Sequence, residues 1–303
     1  MADAALTRPT RGKDGSEHLG RAKPATAEKE IVIFQNFYED GQDLQVDPAF
    51  VPHDGRGNAN THYREVGLFM RLYHSGLYRS GRYTGILSPK FSSKTGMKGI
   101  DFVNFIDKNP GYDVYFINPY PGNAYYSFNV WEHGEICHEG LMVVAQYLFD
   151  RAHIDIDLFS LPRNTHSSLL YCNYWVGNEK FWHSFMELNV KLIDAIDRLS
   201  GPERGRLFAL DPDYPDPVPL LPFIFERLFS TLMVTDSGLR GIAYPHTRDS
   251  ILRSCQSPDE PIITASFIDL IDEIDQRAVY DDRDQIIFQA LGRLKLRLME
   301  RLC

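Results

Sequence analysis

The chain turns strongly apolar at Ile31, where IVIFQNF carries the pattern of a strand buried on both faces. Ahead of it, residues 1–28 mix Ala, Thr, Gly, Lys, Arg and Glu without any apolar period, which predicts a disordered leader. Behind it, EDGQDLQVDPAFVPHDGRGNAN is dense in turn formers and predicts a long loop over one end of a sheet. In NTHYREVGLFMRLYHSGLY, Val66, Phe69, Met70, Tyr73 and Leu77 recur at helical spacing, with Asn60 or Thr61 as the cap. YTGIL at 83–87 reads as a strand, 99–108 as a helix and 113–117 as a further buried strand. A helix over 139–153 turns Leu141, Val144, Ala145 and Leu148 inward.

The run SLLYCNYWV (168–176) predicts a strand leading into a helix capped by Asn178 and closed by Gly201. That helix has Phe181, Trp182, Phe185, Leu188, Leu192 and Ile196 on its apolar face. GPERGRLFALDPDYPDPVPL reads as a proline-laden loop, followed by a helix from about Pro222 to Thr235 and a short strand in RGIAYP. Strands alternating with helices imply an α/β fold: one mainly parallel sheet flanked by helices. The division expected is one α/β domain over 29–250 and a C-terminal helical extension over 251–303.

The extension ends with Ile287, Leu291, Leu294 and Leu298 on one face and Arg293, Lys295, Arg297 and Arg301 around it. A helix hairpin packed on the domain is the plainer reading. The alternative is a basic amphipathic helix making peripheral contact with an anionic membrane.

Composition narrows the function. A net charge of −9 over 303 residues argues against broad nucleic-acid binding. Cys137, Cys172, Cys255 and Cys303 have no CxxC spacing, so reduced thiols in a cytoplasmic protein are expected. No apolar run approaches the ~20 residues that span a bilayer. Aromatic residues at 13% suit a packed α/β core as well as a sugar-binding pocket.

Within this acidic chain, Lys90, Lys94 and Lys98 follow the strand that ends at Leu87, with Gly96 and Gly99 among them. Ligands of open α/β sheets bind beyond the carboxyl ends of strands, so these lysines are candidates for holding a diphosphate. A solvated surface loop is the plainer account. Glu226 lies among Phe223, Ile224, Phe225, Leu228 and Phe229, an apolar setting for an acid, and is expected in the first turn of its helix. In WEHGEICHEGL, His133, Glu135, Cys137, His138 and Glu139 offer donors that zinc accepts, though the spacing matches no zinc motif. Asp113 reads as a turn residue, and Asn-Pro-Tyr-Pro-Gly-Asn-Ala-Tyr-Tyr after it as a rigid aromatic loop.

Three stretches carry a resemblance: NTHYREVGLFMRLYHSGLYRSGRYTGILSPKF, LLYCNYWVGNEKFWHSFMELN and PFIFERLFSTLMVTDSGLRGIAYP. Their order and character resemble the glycosyltransferases of bacterial capsule and surface-polysaccharide synthesis that have a GT-A-like fold. The matching positions are Glu65, Tyr83–Phe91, Asn173–Phe181 and Phe223–Leu228, within a span of roughly 31–246. Two departures stand out: SPKF replaces the HYRR of the resembled group, and Asn178-Glu179-Lys180 replaces a simpler turn.

The resemblance implies transfer of a sugar from a nucleotide-sugar donor to a glycan acceptor. Ordinary GT-A enzymes hold the donor through a divalent metal on Asp-x-Asp; here the strand end reads Leu87-Ser88-Pro89-Lys90. Lysines are then expected to balance the leaving diphosphate, with no metal and no cofactor. On this reading Lys90, Lys94, Lys98, Gln35, Asn36, Tyr38, Arg64 and Glu65 contact the donor, with Arg64 or Arg82 as the substitute cation. Glu226 serves as the base, with Glu139 as its alternative, and His138, Asn173 and Trp175 contact the acceptor. Two other functions stay open: a metal-dependent hydrolase using His133 and His138, and a non-catalytic member of the fold that binds a glycan or a partner.

Overall fold

The computed structural model describes residues 30–37, 46–56, 63–208, 219–255 and 257–300. The expected leader, Tyr38, the candidate caps Asn60 and Thr61, and Arg301 and Cys303 lie outside the described residues.

Six strands form one mixed sheet: β1 (Ile31–Phe37), β2 (Val51–Asp54), β3 (Tyr83–Leu87), β4 (Val114–Phe116), β5 (Trp175–Gly177) and β6 (Gly241–Ala243), in the order β2-β1-β3-β5-β4-β6. β1 pairs in parallel with β2 and β3, and β4 with β6, while β5 runs antiparallel to both β3 and β4. The mainly parallel expectation therefore holds, with β5 the one reversed strand. Reversal has a consequence. The amino end of β5, with Asn173 and Tyr174 before it, reaches the same sheet edge as the carboxyl ends of β3 and β4.

Alternation along the strands explains the two-sided burial. In β1, Val32 and Phe34 enter one core and Ile33 the other; in β3, Ile86 faces the first and Tyr83 and Leu87 the second. The larger core lies under α1 (Glu65–His74), α5 (Leu141–Arg151), α6 (Glu179–Asp197) and α9 (Leu228–Thr235). The smaller one lies under α2 (Phe91–Thr95) and α3 (Gly99–Lys108). All six apolar residues expected on α6 are buried, and Asn178 caps the helix by accepting from the Phe181 N–H at 3.0 Å. Asp113 is the expected turn residue: it accepts from Asn178 Nδ2, Lys180 Nζ and the Arg240 N–H, clasping the start of β4.

Several elements differ from expectation. β2 lies inside the segment expected to be loop, and Leu77 is exposed because α1 stops at His74. The strand expected over 168–176 shrinks to β5, since Cys172 and Asn173 adopt left-handed φ values of 63° and 51° that no strand accommodates. α6 ends at Asp197, and Gly201 opens a separate helix, α7 (Gly201–Leu207), held by a Ser200–Glu203 capping box. WEHGEIC belongs to an unforeseen helix, α4 (Val130–Cys137), capped by Asn129. The single helix expected from Pro222 is divided into α8 (Leu221–Glu226) and α9 at Arg227. The buried Arg227 guanidinium donates to the Val130 and Phe223 carbonyls, passing so close to Gly134 that a Cβ there would sit 2.3 Å from Arg227 Nε.

The last three helices, α10 (Arg248–Arg253), α11 (Glu260–Arg277) and α12 (Asp282–Glu300), pack onto the same unit, contributing Ile251, Ile268, Ile271, Ile274, Phe288 and Leu298 to the larger core. Lys295, expected on the basic rim of α12, is instead buried and ion-paired with buried Glu260. The apolar stripe of α12 is covered by protein, because the helix lies against α4 and Gly292 meets Ile136. Among the described residues no helix is long and apolar enough to cross a membrane.

Candidate functional site

At the carboxyl edge of the sheet, β3 delivers Ser88 and then the N-terminus of α2, which carries Lys94. The Lys94 ammonium sits 3.1 Å from Cys172 Sγ and 5.6 Å from the centre of the Tyr120 ring. Burial alone would lower its pKa, but the hydrogen bond to Cys172 Sγ works the other way and the net direction is upward, so the ammonium stays charged. The Cys172 thiol is pushed up to about 12, chiefly by burial and then by the charge of Glu226. It is therefore a neutral thiol and a poor nucleophile at physiological pH. Ser88 Oγ and Tyr174 Oη share a hydrogen bond of 2.9 Å, which closes the wall between β3 and β5.

Two carboxylates complete the group. Glu226, at the end of α8, accepts from the Cys172 backbone N–H at 2.9 Å. Glu65 opens α1 and reaches solvent. Even so, the surrounding protein strips enough hydration from it to raise its pKa to about 7; the Glu226 charge adds to the rise, while Lys94 and Arg64 oppose it. Glu65, Glu226, Cys172 and Lys94 thus lie close enough to act on one another electrostatically. The two acids thus differ: one is a hydrogen-bonded carboxylate, the other holds a proton up to neutral pH, an arrangement suited to acid–base work.

The other expected residues are placed as follows. Arg64 stands at the N-cap of α1 with a positive φ of 46° and acts electrostatically on Glu65. Arg82 precedes β3 and pairs with Glu30 at 2.8 Å, at the opposite end of the sheet, so it cannot serve the same mouth. Lys90 and Lys98 occupy the caps before α2 and α3, and their ammonium groups engage no described residue. Of the three lysines, Lys94 alone is drawn into the group.

Gln35 is buried at the end of β1 with its amide already engaged, accepting from the Asp47 N–H at 2.8 Å and donating to the Ser88 carbonyl at 3.4 Å. It positions the edge rather than offering itself to a donor. Asn36 is buried against Gly55, and its Oδ1 has no hydrogen-bond partner. Glu226 corrects an expectation too: it ends its helix instead of beginning it, so the Cys172 N–H and not a helix N-terminus supports its charge.

On the acceptor side, Asn173 is buried beside Cys172 with its Oδ1 unpartnered. Trp175 is fully buried among Phe69, Phe181, Trp182 and Phe185, walled off from any ligand. Among the WEHGEICHEGL residues, Cys137 Sγ lies 3.9 Å from His133 Nε2, but the set does not gather into one site. Glu135 accepts from the Gly140 and Met142 N–H groups at the start of α5, and His133 packs on the Tyr171 ring. His138 stacks on Phe223 at 3.8 Å, and Glu139 is exposed and outside the Glu65–Glu226 group. Among the described residues no three His, Cys, Asp or Glu side chains form a group that could hold a metal.

Tyr120 belongs to the expected rigid aromatic loop, but Cys172, Tyr174 and Ser88 were not singled out as site residues from the sequence. The available signal was the Cys-Asn pair interrupting an otherwise apolar run, since Asn tolerates the left-handed backbone that ends a strand.

The fold and site together define an α/β protein with a mixed six-stranded sheet and a cluster of Lys94, Cys172, Glu65 and Glu226 at its carboxyl edge. Comparison with protein-family models, with curated proteins and with solved structures returns no match.

Proposed function

We propose that the protein is a glycosyltransferase of GT-A-like architecture that moves a sugar from a nucleotide-diphosphate donor to a glycan acceptor in surface-polysaccharide synthesis. The observation that carries this reading is the Lys94 ammonium, held 3.1 Å from Cys172 Sγ beside Glu65 and Glu226. A sheet with one reversed strand and a site beyond its carboxyl edge also supports it.

The residues present do not suit the metal of ordinary GT-A enzymes. Ser88-Pro89-Lys90 follows β3 and Asn118-Pro119-Tyr120 follows β4, so neither strand end supplies a carboxylate pair. Positive side chains take the role instead. The acceptor hydroxyl attacks the anomeric carbon of the donor, and its proton passes to Glu226, whose second oxygen engages no described residue. The bond from that carbon to the phosphate oxygen breaks, and its electron pair leaves with the diphosphate, facing Lys94. Glu65, protonated below its pKa of about 7, keeps the cluster from accumulating negative charge against the donor.

The test is thermal stability of the full chain with UDP-, GDP-, CDP- and dTDP-sugars, with and without EDTA. At a hundredfold excess over its dissociation constant, the true donor stabilises by ~2.7 kcal/mol. The stabilisation is expected to survive EDTA and to be lost in Lys94→Ala. If no nucleotide stabilises the protein, or if chelation removes the effect, the reading fails.

A further inference from the structure

We propose that His166 and His246 form a binding site for a divalent transition-metal ion of the zinc class, beside the cluster but separate from its chemistry. These two histidines lie outside the WEHGEICHEGL cluster and 80 positions apart in the chain.

Tertiary structure brings their ring centres to 6.2 Å with an interplanar angle of 47°. His166 Nε2 is 3.1 Å from Tyr125 Oη, and that hydroxyl donates to Asp272 Oδ1 at 3.0 Å. With the hydroxyl proton committed to Asp272, the oxygen can only accept, so His166 carries its proton on Nε2. Its Nδ1 then presents a bare lone pair, and this atom is buried without a hydrogen-bond partner. His246, just after β6, has its Nε2 in the same condition. Buried polar atoms are rarely left unpaired, and an ion or ordered water is the usual explanation.

The chemistry of the pair favours a metal. Imidazole nitrogen is a donor that zinc accepts, and the two orphaned nitrogens are both of that kind. The chain His166–Tyr125–Asp272 has the form of an outer shell that fixes a ligating histidine's tautomer and orientation. Nearby charge is compatible with a cation: Asp272 accepts from Tyr125, and the Arg163 guanidinium is paired with Asp275 at 3.1 Å. An ion ~2.0–2.1 Å from each nitrogen would satisfy both orphans. With no third described His, Cys, Asp or Glu in the group, water or a ligand would fill the remaining positions. The 3-10 turn Pro121–Tyr125 joins this pair to Tyr120, the ring beneath Lys94, which puts the site about 10 Å along the edge at ~2 Å per residue.

Cobalt(II) titration of the full chain near neutral pH, followed by its visible absorption band, tests the assignment directly. One ion per chain is expected, displaced by zinc. His166→Gln and His246→Gln are each expected to weaken binding at least tenfold, and Tyr125→Phe by roughly 10–100-fold through loss of the outer shell. Circular dichroism verifies that each variant folds; if His166→Gln does not, the half-buried His246 carries the test. Absence of saturable cobalt binding, which would leave the pair bridged by water only, overturns the proposal. Binding that both glutamine variants retain overturns it as well. Neither result touches nucleotide-sugar stabilisation, so the two proposals fail independently.

Discussion

Glu226 Oε1 accepts the backbone N–H of Cys172 at 2.9 Å, joining the end of α8 to the left-handed turn that precedes β5. One side chain thus supports an unfavourable backbone and supplies the candidate base. Glu226→Gln keeps an acceptor for the N–H and loses the charge, so stability should change little while turnover collapses. Glu226→Ala leaves the N–H unpaired and should cost ~1–3 kcal/mol in urea unfolding as well. Equal stability losses in the two variants would show that the hydrogen bond is not the support.

Glu65 sets the pH dependence. Its folded pKa, about 7, lies above the ordinary 4.5, so its contribution to stability is present below 4.5 and is lost as pH rises through about 7. Solvent reaches the group and screens the effect, leaving on the order of 1 kcal/mol. Comparing the pH–stability curves of wild type and Glu65→Gln isolates the contribution. Donor binding should weaken over the same window, and Glu65→Gln should flatten that dependence. Glu226→Gln should lower the Glu65 pKa, readable by carbon NMR titration.

The three lysines should separate. Lys94→Ala should lower donor affinity at least tenfold, because its ammonium is held in the cluster; about 1.4 kcal/mol corresponds to that factor. Lys90→Ala and Lys98→Ala, whose ammonium groups engage no described residue, should change affinity less. Calorimetric titration with the donor found by thermal shift ranks them.

Trp175 belongs to the core. Trp175→Ala should cost ~3–5 kcal/mol of stability, the range for truncating a buried large aromatic side chain. Chemical denaturation measures the loss. Trp175→Phe should retain acceptor affinity, since the ring faces Phe69 and Phe181 rather than the cluster.

The buried Lys295–Glu260 pair fastens α12 to α11, with Lys295 also 5.2 Å from the Tyr126 ring centre. Lys295→Met alone strands a buried carboxylate and should cost ~3–5 kcal/mol. Adding Glu260→Leu should recover much of that loss. A double-mutant cycle by urea denaturation gives the coupling, and a near-zero value would show that the pair does not hold the hairpin.

Much of the fold was legible. The apolar runs at Ile31–Phe37 and Tyr83–Leu87, the helix over Gly99–Lys108 and the Asn178-capped helix with its six inward residues all follow from local periodicity and capping. Errors arose where a local pattern competed with a distant partner. LLYCNYWV has strand composition, but Glu226 and Ser230 take the Cys172 and Leu170 N–H groups and bend the chain away from the sheet. Lys295 looked like a rim cation because Glu260, 35 positions earlier, was not visible as its partner.

The site was legible as residue types only. Lysines after a strand and an acid in an apolar helix were apparent in the chain order, and so was the even apolar spacing that builds each element. Which lysine turns inward, which acid keeps its proton and which two histidines meet were decided by the folded molecule. Those outcomes depend on hydration, on charge at a few ångströms and on strand direction. All three come from groups far apart in the chain, and β5 brings several of them to one edge by running backwards through the sheet.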